Sequence, residues 1–272
     1  MSDEKRTRHI LGLSGGKDST ALALFMRDKV PDMEYVFCDT GCELEETYTY
    51  LDRVEAYLGK KVHRLNSRAT FMHWLEIFDG CLPSPKMRWC TKLLKLRPFE
   101  EFIGEGDVVS YVGIRADEDR IGYISTKDNI RAVFPFKDYG IDLKGVMKIL
   151  DESGLGLPPY LSWGRLHSGC YFCFFQRTIE WVRLYETHND QFEKALALEK
   201  VNPERPEKTY TWIQGLPLSE LRKPEVRERI KQRDRESQEQ YRKNRPNKTL
   251  GEVLGYWDDD EYAEKACLIC QL

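Results

Sequence analysis

No apolar run in this chain approaches the roughly 18 residues that a bilayer-spanning helix requires. The charged opening from Met1 to His9 lacks the apolar stretch of a secretory signal, so the expected location is the cytoplasm, with no membrane partner. Histidine is scarce, and His63, His73, His167 and His188 show no paired ligand spacing. They read as solvated or core-satisfied rings, with His167 alone close to a cysteine turn. There is no internal repeat and no low-complexity tract, which excludes solenoids and disordered arrays. No strong charge of one sign is present either. The net charge is −3, so bulk electrostatics do not announce a nucleic-acid partner. The G-x-x-x-x-G-K-[ST] spacing is also missing, and with it an ordinary Walker A loop.

What is present is a globular composition, 41% hydrophobic and 32% charged. The 272 residues suffice for one large domain or a domain with an appendage. Strand and helix signals alternate from residue 9 onward: His9–Leu13, Asp18–Arg27, Tyr35–Cys38, Glu45–Leu58 and Lys61–Leu65. That order predicts an α/β fold, a doubly wound parallel sheet covered on both faces. Further on, a short helix is expected at 70–78 and a loop across Gly80–Pro85. A helix near Thr91–Ile103 must kink or break at Pro98. Strands are expected at Val108–Ile114 and Ile130–Phe134, and a helix at Leu143–Leu150. From about 155 the pattern turns to Gly, Pro and aromatics, then to aromatic-rich helices. The reading is therefore a nucleotide-binding α/β domain over 1–155 and a helical, cysteine-containing region over 156–272.

The run Ser14-Gly15-Gly16-Lys17-Asp18-Ser19 falls at the first strand-to-helix junction. Such a turn presents backbone N–H groups at the positive end of a helix dipole, where phosphate binds well. Glycines permit positive φ and close approach, Lys17 adds charge, and Ser14 and Ser19 add hydroxyls. Asp39-Thr40-Gly41 ends the second strand, on the same edge of the sheet, where ligands of open α/β folds sit.

Eight cysteines in a chain without a secretory signal are poor candidates for structural disulfides. Cys38 closes the run Tyr35-Val36-Phe37 and reads as a small buried hydrophobe; Cys42 stands with it beside an acidic turn. Cys81, Cys90, the pair Cys170-x-x-Cys173 and the pair Cys267-x-x-Cys270 imply metal or redox chemistry. A Cys₄ zinc site built from the two pairs is one reading. In the segment 217–248, Lys and Arg outnumber Asp and Glu although the whole chain is slightly acidic. It reads either as a solvated helix face or as a basic arm for nucleic-acid phosphates, with Tyr241 as a stacking group.

The Ser14–Ser19 loop resembles the pyrophosphate-binding loop of the ATP-pyrophosphatase (PP-loop, adenine nucleotide alpha hydrolase-like) superfamily. Four further segments resemble its phosphoadenosine phosphosulfate reductase-like branch. These are Phe37–Gly41 with Glu46-Thr47; Arg88-Trp89-Cys90-Thr91 with Leu94–Pro98; Gly113-Ile114-Arg115-Ala116-Asp117-Glu118 with Arg120; and Ser168–Cys173. The resemblance covers about residues 9–177.

The resemblance implies that Ser14, Gly15, Gly16, Lys17, Asp18 and Ser19 hold the phosphates of ATP or an adenylyl sulfate, bridged by Mg²⁺. It also implies that Asp39, Thr40 and Gly41 contact the adenosine or the nucleophile channel. Gly113 and Arg115 would end a strand at the same face, with Arg115, and Lys95 and Arg120 beside it, as a charge clamp. Cys90, Cys170 and Cys173 match ligands of a [4Fe–4S] cluster in the iron–sulfur members. Those members carry a second cysteine where this chain has Trp89, so the fourth ligand falls to Cys81, Cys267 or Cys270, or one iron stays open. Tyr171, Phe172, Phe174, Phe175 and Trp181 read as the hydrophobic shell of that metal.

Three functions follow. The first is an ATP-dependent sulfurtransferase thiolating DNA or tRNA, with a cysteine desulfurase or a thioredoxin-like protein as donor. The second is a phosphoadenylyl- or adenylyl-sulfate reductase with Cys270 as nucleophile, although the tail lacks that group's Glu, Gly and His. The third is an ATP-binding accessory component of a nucleic-acid defence or modification complex. In the first two, Lys17, Asp18, Asp39 and Arg115 form the activating half of the site.

Overall fold

β-Branched and aromatic runs bounded by Gly, Pro and Asp give this chain short strands, the central ones largely buried on both faces as parallel sheets require and the edge ones partly exposed. A computed structural model describes residues 7–119 and 127–244. Five strands, β1 (Arg8–Gly12), β2 (Glu34–Asp39), β3 (Val62–Asn66), β4 (Val108–Tyr111) and β5 (Ile130–Val133), form one sheet in the order β3-β2-β1-β4-β5. Every pairing is parallel. The chain winds outward from β1 through β2 to β3, then crosses back to β4 and β5. The winding direction thus reverses between β1 and β4, and the crevice beyond their carboxyl ends is the ligand position of such sheets.

The helices α1 (Lys17–Met26), α2 (Glu45–Leu58) and α3 (Phe71–Ile77) follow the first three strands. The expected break at Pro98 is resolved without leaving helical geometry. A short α4 (Trp89–Thr91) passes into a π-helical segment, Lys92–Leu96, and then into α5 (Arg97–Ile103), whose first turn holds Pro98. The Arg97 N–H reaches back five residues to the Lys92 carbonyl. Pro98 has no N–H to offer a regular ladder, and the wider turn absorbs the mismatch. The strand expected to run to Ile114 stops at Tyr111, because Gly113 onward turns toward α1.

After the short α6 (Pro135–Asp138) and α7 (Leu143–Ser153), the chain forms α8 (Thr178–Thr187), α9 (Asn189–Leu196) and α10 (Pro224–Asn244). One core lies between the sheet and α1, α2 and α7, with Leu11, Leu22, Tyr35, Tyr50, Val109 and Leu150 at its centre. A second, aromatic core joins Phe71, Trp89 and Leu94 to Phe172, Trp181, Phe192 and Trp212. It therefore draws on both sides of residue 155. Rings step across it at centroid distances of 4.3 Å for Phe71–Phe172 and 5.1 Å for Phe172–Trp212.

The charged segment near the C-terminus is largely α10. Val226 and Ile230 are buried in the aromatic core, and Lys231 pairs with Glu186 of α8 at 2.7 Å. Arg183 of α8 pairs with Asp234 at 3.5 Å. Part of its charge thus serves helix docking. Arg120, the side chain of Tyr241, Cys267 and Cys270 lie outside the described residues. Among the described residues no helix is long and apolar enough to cross a membrane.

Candidate functional site

At the end of β1 the chain turns through Gly15 at φ +69°, which L side chains rarely adopt. A Cβ there would also meet Thr47 of α2 at 2.9 Å. Gly16 caps α1 in extended geometry, and a Cβ on it would lie 2.8 Å from Ser168 Oγ. Ser19 Oγ accepts from the Ser14 N–H at 3.2 Å and donates to the Gly16 carbonyl at 3.2 Å, closing the loop on itself. The helix start leaves its first N–H groups without intrahelical partners; the one on Lys17 donates to the Tyr160 hydroxyl at 3.0 Å.

Buried charge surrounds this loop. Asp18 accepts from Lys17 Nζ on one oxygen at 3.0 Å and from Arg115 on the other at 3.3 Å. Arg115, only 1% exposed, also pairs with Asp117 at 3.0 Å and Glu118 at 2.8 Å. Gly113 makes this reach possible, since a Cβ on it would come within 3.2 Å of the Asp18 backbone. Lys17 and Arg115 are thus tied together at a helix N-terminus through Asp18, with Asp117 and Glu118 also paired to Arg115.

Asp39, at the end of β2, accepts from the Gly41 N–H at 2.9 Å and the Tyr48 hydroxyl at 2.8 Å. Thr40 faces elsewhere. Its hydroxyl donates to Glu43 at 2.8 Å and shares a hydrogen bond with Cys170 Sγ at 3.1 Å. The turn after β2 therefore links the phosphate side to the cysteines.

The cysteines surround a narrow pocket of about 30 Å³, lined by Cys90, Cys170 and Cys173 with Phe71, Phe172, Phe174, Phe175, Leu94 and Lys95. Lys95, open to reading as a solvated residue, is buried here. Trp181 does not line the pocket; it belongs to the aromatic core beside Trp212. Trp89 likewise turns into that core and donates its indole N–H to the Cys81 carbonyl. Cys81 Sγ lies 3.7 Å from Met87 Sδ rather than at the pocket. Burial, then Glu43, pushes the Cys170 thiol well above its ordinary range. Burial alone dominates at Cys38, whose thiol is pushed up to about 12. Burial also raises the Glu43 carboxyl, with Lys95 opposing.

The two halves meet. Ser168 Oγ donates to Ser14 Oγ at 3.1 Å, and Arg165, buried, donates to the Gly169 and Cys170 carbonyls at 3.3 and 2.7 Å. Ser168, Arg165, Tyr160 and Glu43 are site residues that motif reading missed. Ser168 could have been flagged, since it directly precedes the cysteine turn; Tyr160 carries no local signal.

Among the described residues no group of three or more His, Cys, Asp or Glu is set closely enough for a single metal ion. The donor set is nevertheless all thiol, with aromatic and aliphatic walls. Thiol donors of this kind suit soft metals.

The glycine-serine loop thus sits at the reversal point of a five-stranded parallel sheet. Residues 8–141 match the family model described as phosphoadenosine phosphosulfate reductase domain. It is similar to an uncharacterized protein of Methanocaldococcus jannaschii, 38% identical over 113 residues, 40% of this chain and 23% of that one. It is also similar to the tRNA-specific 2-thiouridylase MnmA of Haemophilus ducreyi, 29% identical over 194 residues, 57% of this chain and 49% of that one. The chain spans about half or less of these two relatives. Among solved structures, phosphoadenylyl-sulfate reductase from Candida auris aligns at a TM-score of 0.49 and 15% identity, covering 62% of this chain and 83% of that one.

Proposed function

We propose that this chain is an ATP-dependent sulfurtransferase that thiolates a nucleic acid. The observation that carries the reading is the contact between Ser14 of the phosphate loop and Ser168 of the cysteine turn, which sets an activating site against a sulfur site. Similarity to a protein named a tRNA-specific 2-thiouridylase supports the acceptor class.

In this reading the Ser14–Ser19 loop would receive the phosphates of ATP, and Mg²⁺ when bound would offset their charge. Asp18 positions Lys17 and Arg115 so that their charges meet the departing pyrophosphate. An oxygen of the substrate attacks the α-phosphorus, the bond to the β-phosphate oxygen breaks, and pyrophosphate leaves. A sulfur nucleophile then attacks the activated carbon; its C–O bond breaks and AMP departs with that oxygen. Asp39, fixed by Tyr48 and Gly41, stands where the adenosine or incoming nucleophile would pass. Cys90, Cys170 and Cys173 would hold a [4Fe–4S] cluster, which when bound supplies soft iron able to carry sulfide. Apolar walls keep water from that sulfur.

The match to the phosphoadenosine phosphosulfate reductase domain favours a second reading, reductive release of sulfite from an adenylyl sulfate, with Cys270 as nucleophile. Anaerobically purified protein, given ATP with tRNA or DNA, should release pyrophosphate only when nucleic acid is present, and the nucleic acid should gain sulfur by mass spectrometry. Sulfite formed from phosphoadenylyl sulfate with thioredoxin as reductant would establish the second reading instead. Absence of pyrophosphate release with every substrate would favour an accessory, ATP-binding role.

A further inference from the structure

We infer that the rim of the cysteine pocket is a single-strand nucleic-acid interface. Phe174, Phe175 and Arg88 stack an unpaired base, and Lys86 and Lys92 hold the phosphates beside it. This rests on the reading that a nucleic acid is the sulfur acceptor, and it says where the strand lies.

The two segments that supply most of the pocket wall are basic in a slightly acidic chain. No Asp or Glu occurs from Gly80 to Leu96 or from Ser153 to Ile179, although the chain holds 45 of them. Among the described residues no carboxylate pairs with Lys86, Arg88 or Lys92. Lys86 is exposed in a tight turn, closed by Ser84 and Met87 donating to each other's carbonyls at 3.1 and 3.0 Å. The Lys92 N–H donates to the Arg88 carbonyl at 3.2 Å, so these two cations share one helical face. Glu43 comes within 3.8 Å of Cys170, but it is buried. A face of this sign attracts a polyanion.

The apolar part of the rim consists of flat groups. Phe174 and Phe175 are half-buried, with ring centroids 4.3 Å apart, and both line the pocket beside Cys90 and Cys173. The Arg88 guanidinium lies 5.1 Å from the Phe175 centroid, and its Nε donates to the Pro85 carbonyl at 3.2 Å. That bond fixes the plane of a group that itself stacks on bases. Rings with cations alongside are how proteins hold single strands. In a duplex the base faces are covered, so only an unpaired or flipped base reaches such a surface. The pocket behind, about 30 Å³, is too small for a base, which therefore stays at the mouth next to the thiols. The charged helix α10 is a poorer surface. It interleaves its cations with acids and uses Lys231 and Asp234 to dock on α8.

The test is binding of labelled single-stranded DNA and RNA of about 20 nucleotides, followed by anisotropy from about 50 to 200 mM salt. Lys86→Ala and Lys92→Ala should each reduce the slope of log affinity against log salt by about 0.7. Phe175→Leu should weaken binding roughly tenfold without changing that slope, and Phe175→Tyr should restore the affinity. Arg88→Lys, which keeps the charge and loses the plane, should behave like Phe175→Leu. A loss of packing alone would not separate affinity from slope in this way. A 2-aminopurine base in the strand should be quenched by the wild type and less by Phe175→Leu. The matching duplex should bind roughly tenfold more weakly than the single strand. Far-UV circular dichroism reads the folding of each variant.

If Lys86→Ala, Lys92→Ala and Phe175→Leu bind as the wild type does, this assignment fails while the nucleic-acid reading stands. The same holds if the duplex binds more tightly, or if Arg229→Ala and Arg233→Ala on α10 carry the loss instead. A wild type that binds neither DNA nor RNA overturns the acceptor reading, and this assignment with it.

Discussion

The phosphate loop and the cysteine pocket lie one hydrogen bond apart and are built in opposite ways. The first is one contiguous stretch, Ser14–Ser19, whose glycines, hydroxyls and helix start create its geometry locally. Its charges are then locked by a single distant residue, Arg115. The second has almost no local geometry beyond the turn from Cys170 to Cys173. It exists because three segments converge on aromatic walls. The polar half is held by ion pairs, and the apolar half by burial, which pushes the Cys170 thiol well above its ordinary range. A strongly charged ligand and a soft metal can thus be neighbours without sharing donors.

The comparison can be broken most severely at Arg115. Arg115→Ala leaves Asp18 and Glu118 as buried carboxylates without their guanidinium, and should cost about 3–5 kcal/mol. Urea unfolding of the metal-free protein measures it. A loss under about 1 kcal/mol, typical of exposed pairs, would show that the knot is solvated.

On the cysteine side the corresponding signature is pH dependence. The Cys38 and Cys42 thiols are pushed from 9.0 up to about 12, chiefly by burial. The folded state holds these protons more tightly than the unfolded state. Their contribution to stability is therefore complete below about 9 and is lost as the pH rises toward 12. Each such thiol steepens the fall by up to about 1.4 kcal/mol per pH unit. Unfolding curves of the metal-free protein from pH 8 to 11 should show this slope, and Cys38→Ala should make it shallower. An unchanged slope in that variant would mean that Cys38 ionises freely in the fold.

The smallest effect belongs to the seam. Ser168→Ala removes one hydroxyl bond and should lower stability by only about 1 kcal/mol. It should also loosen the link between the halves, so that nucleotide no longer changes the alkylation rate of Cys170. Retained coupling would place the link in Arg165 and Tyr160 instead.

The legible part of the fold was the part with short-range causes. Glu45–Leu58 is helical from end to end as its apolar spacing predicts, and the strands around β1 and β2 fall within a residue or so of expectation. The break at Pro98 was predictable as a mismatch but not as a π-helical turn, since that solution depends on Leu94 and Lys95 being needed at the pocket. Thr40 was placed with the adenosine or the nucleophile channel by its position after β2. Its hydroxyl bonds Glu43 and Cys170, a direction set by the neighbours it packs against and not by the motif alone.

By itself the sequence determined a parallel α/β sheet, a phosphate loop at the first strand–helix junction, and a supply of thiols in excess of packing needs. Periodicity, glycine placement and residue chemistry are local properties, and they survive being read one window at a time. Only the tertiary structure decided that Cys90, Cys170 and Cys173 line one pocket, that Trp89 is buried in the core, that Thr40 meets Cys170, and that Ser168 touches Ser14. The Ser14–Ser168 and Thr40–Cys170 contacts join residues more than a hundred positions apart, and packing of distant segments, not any spacing along the chain, selects them.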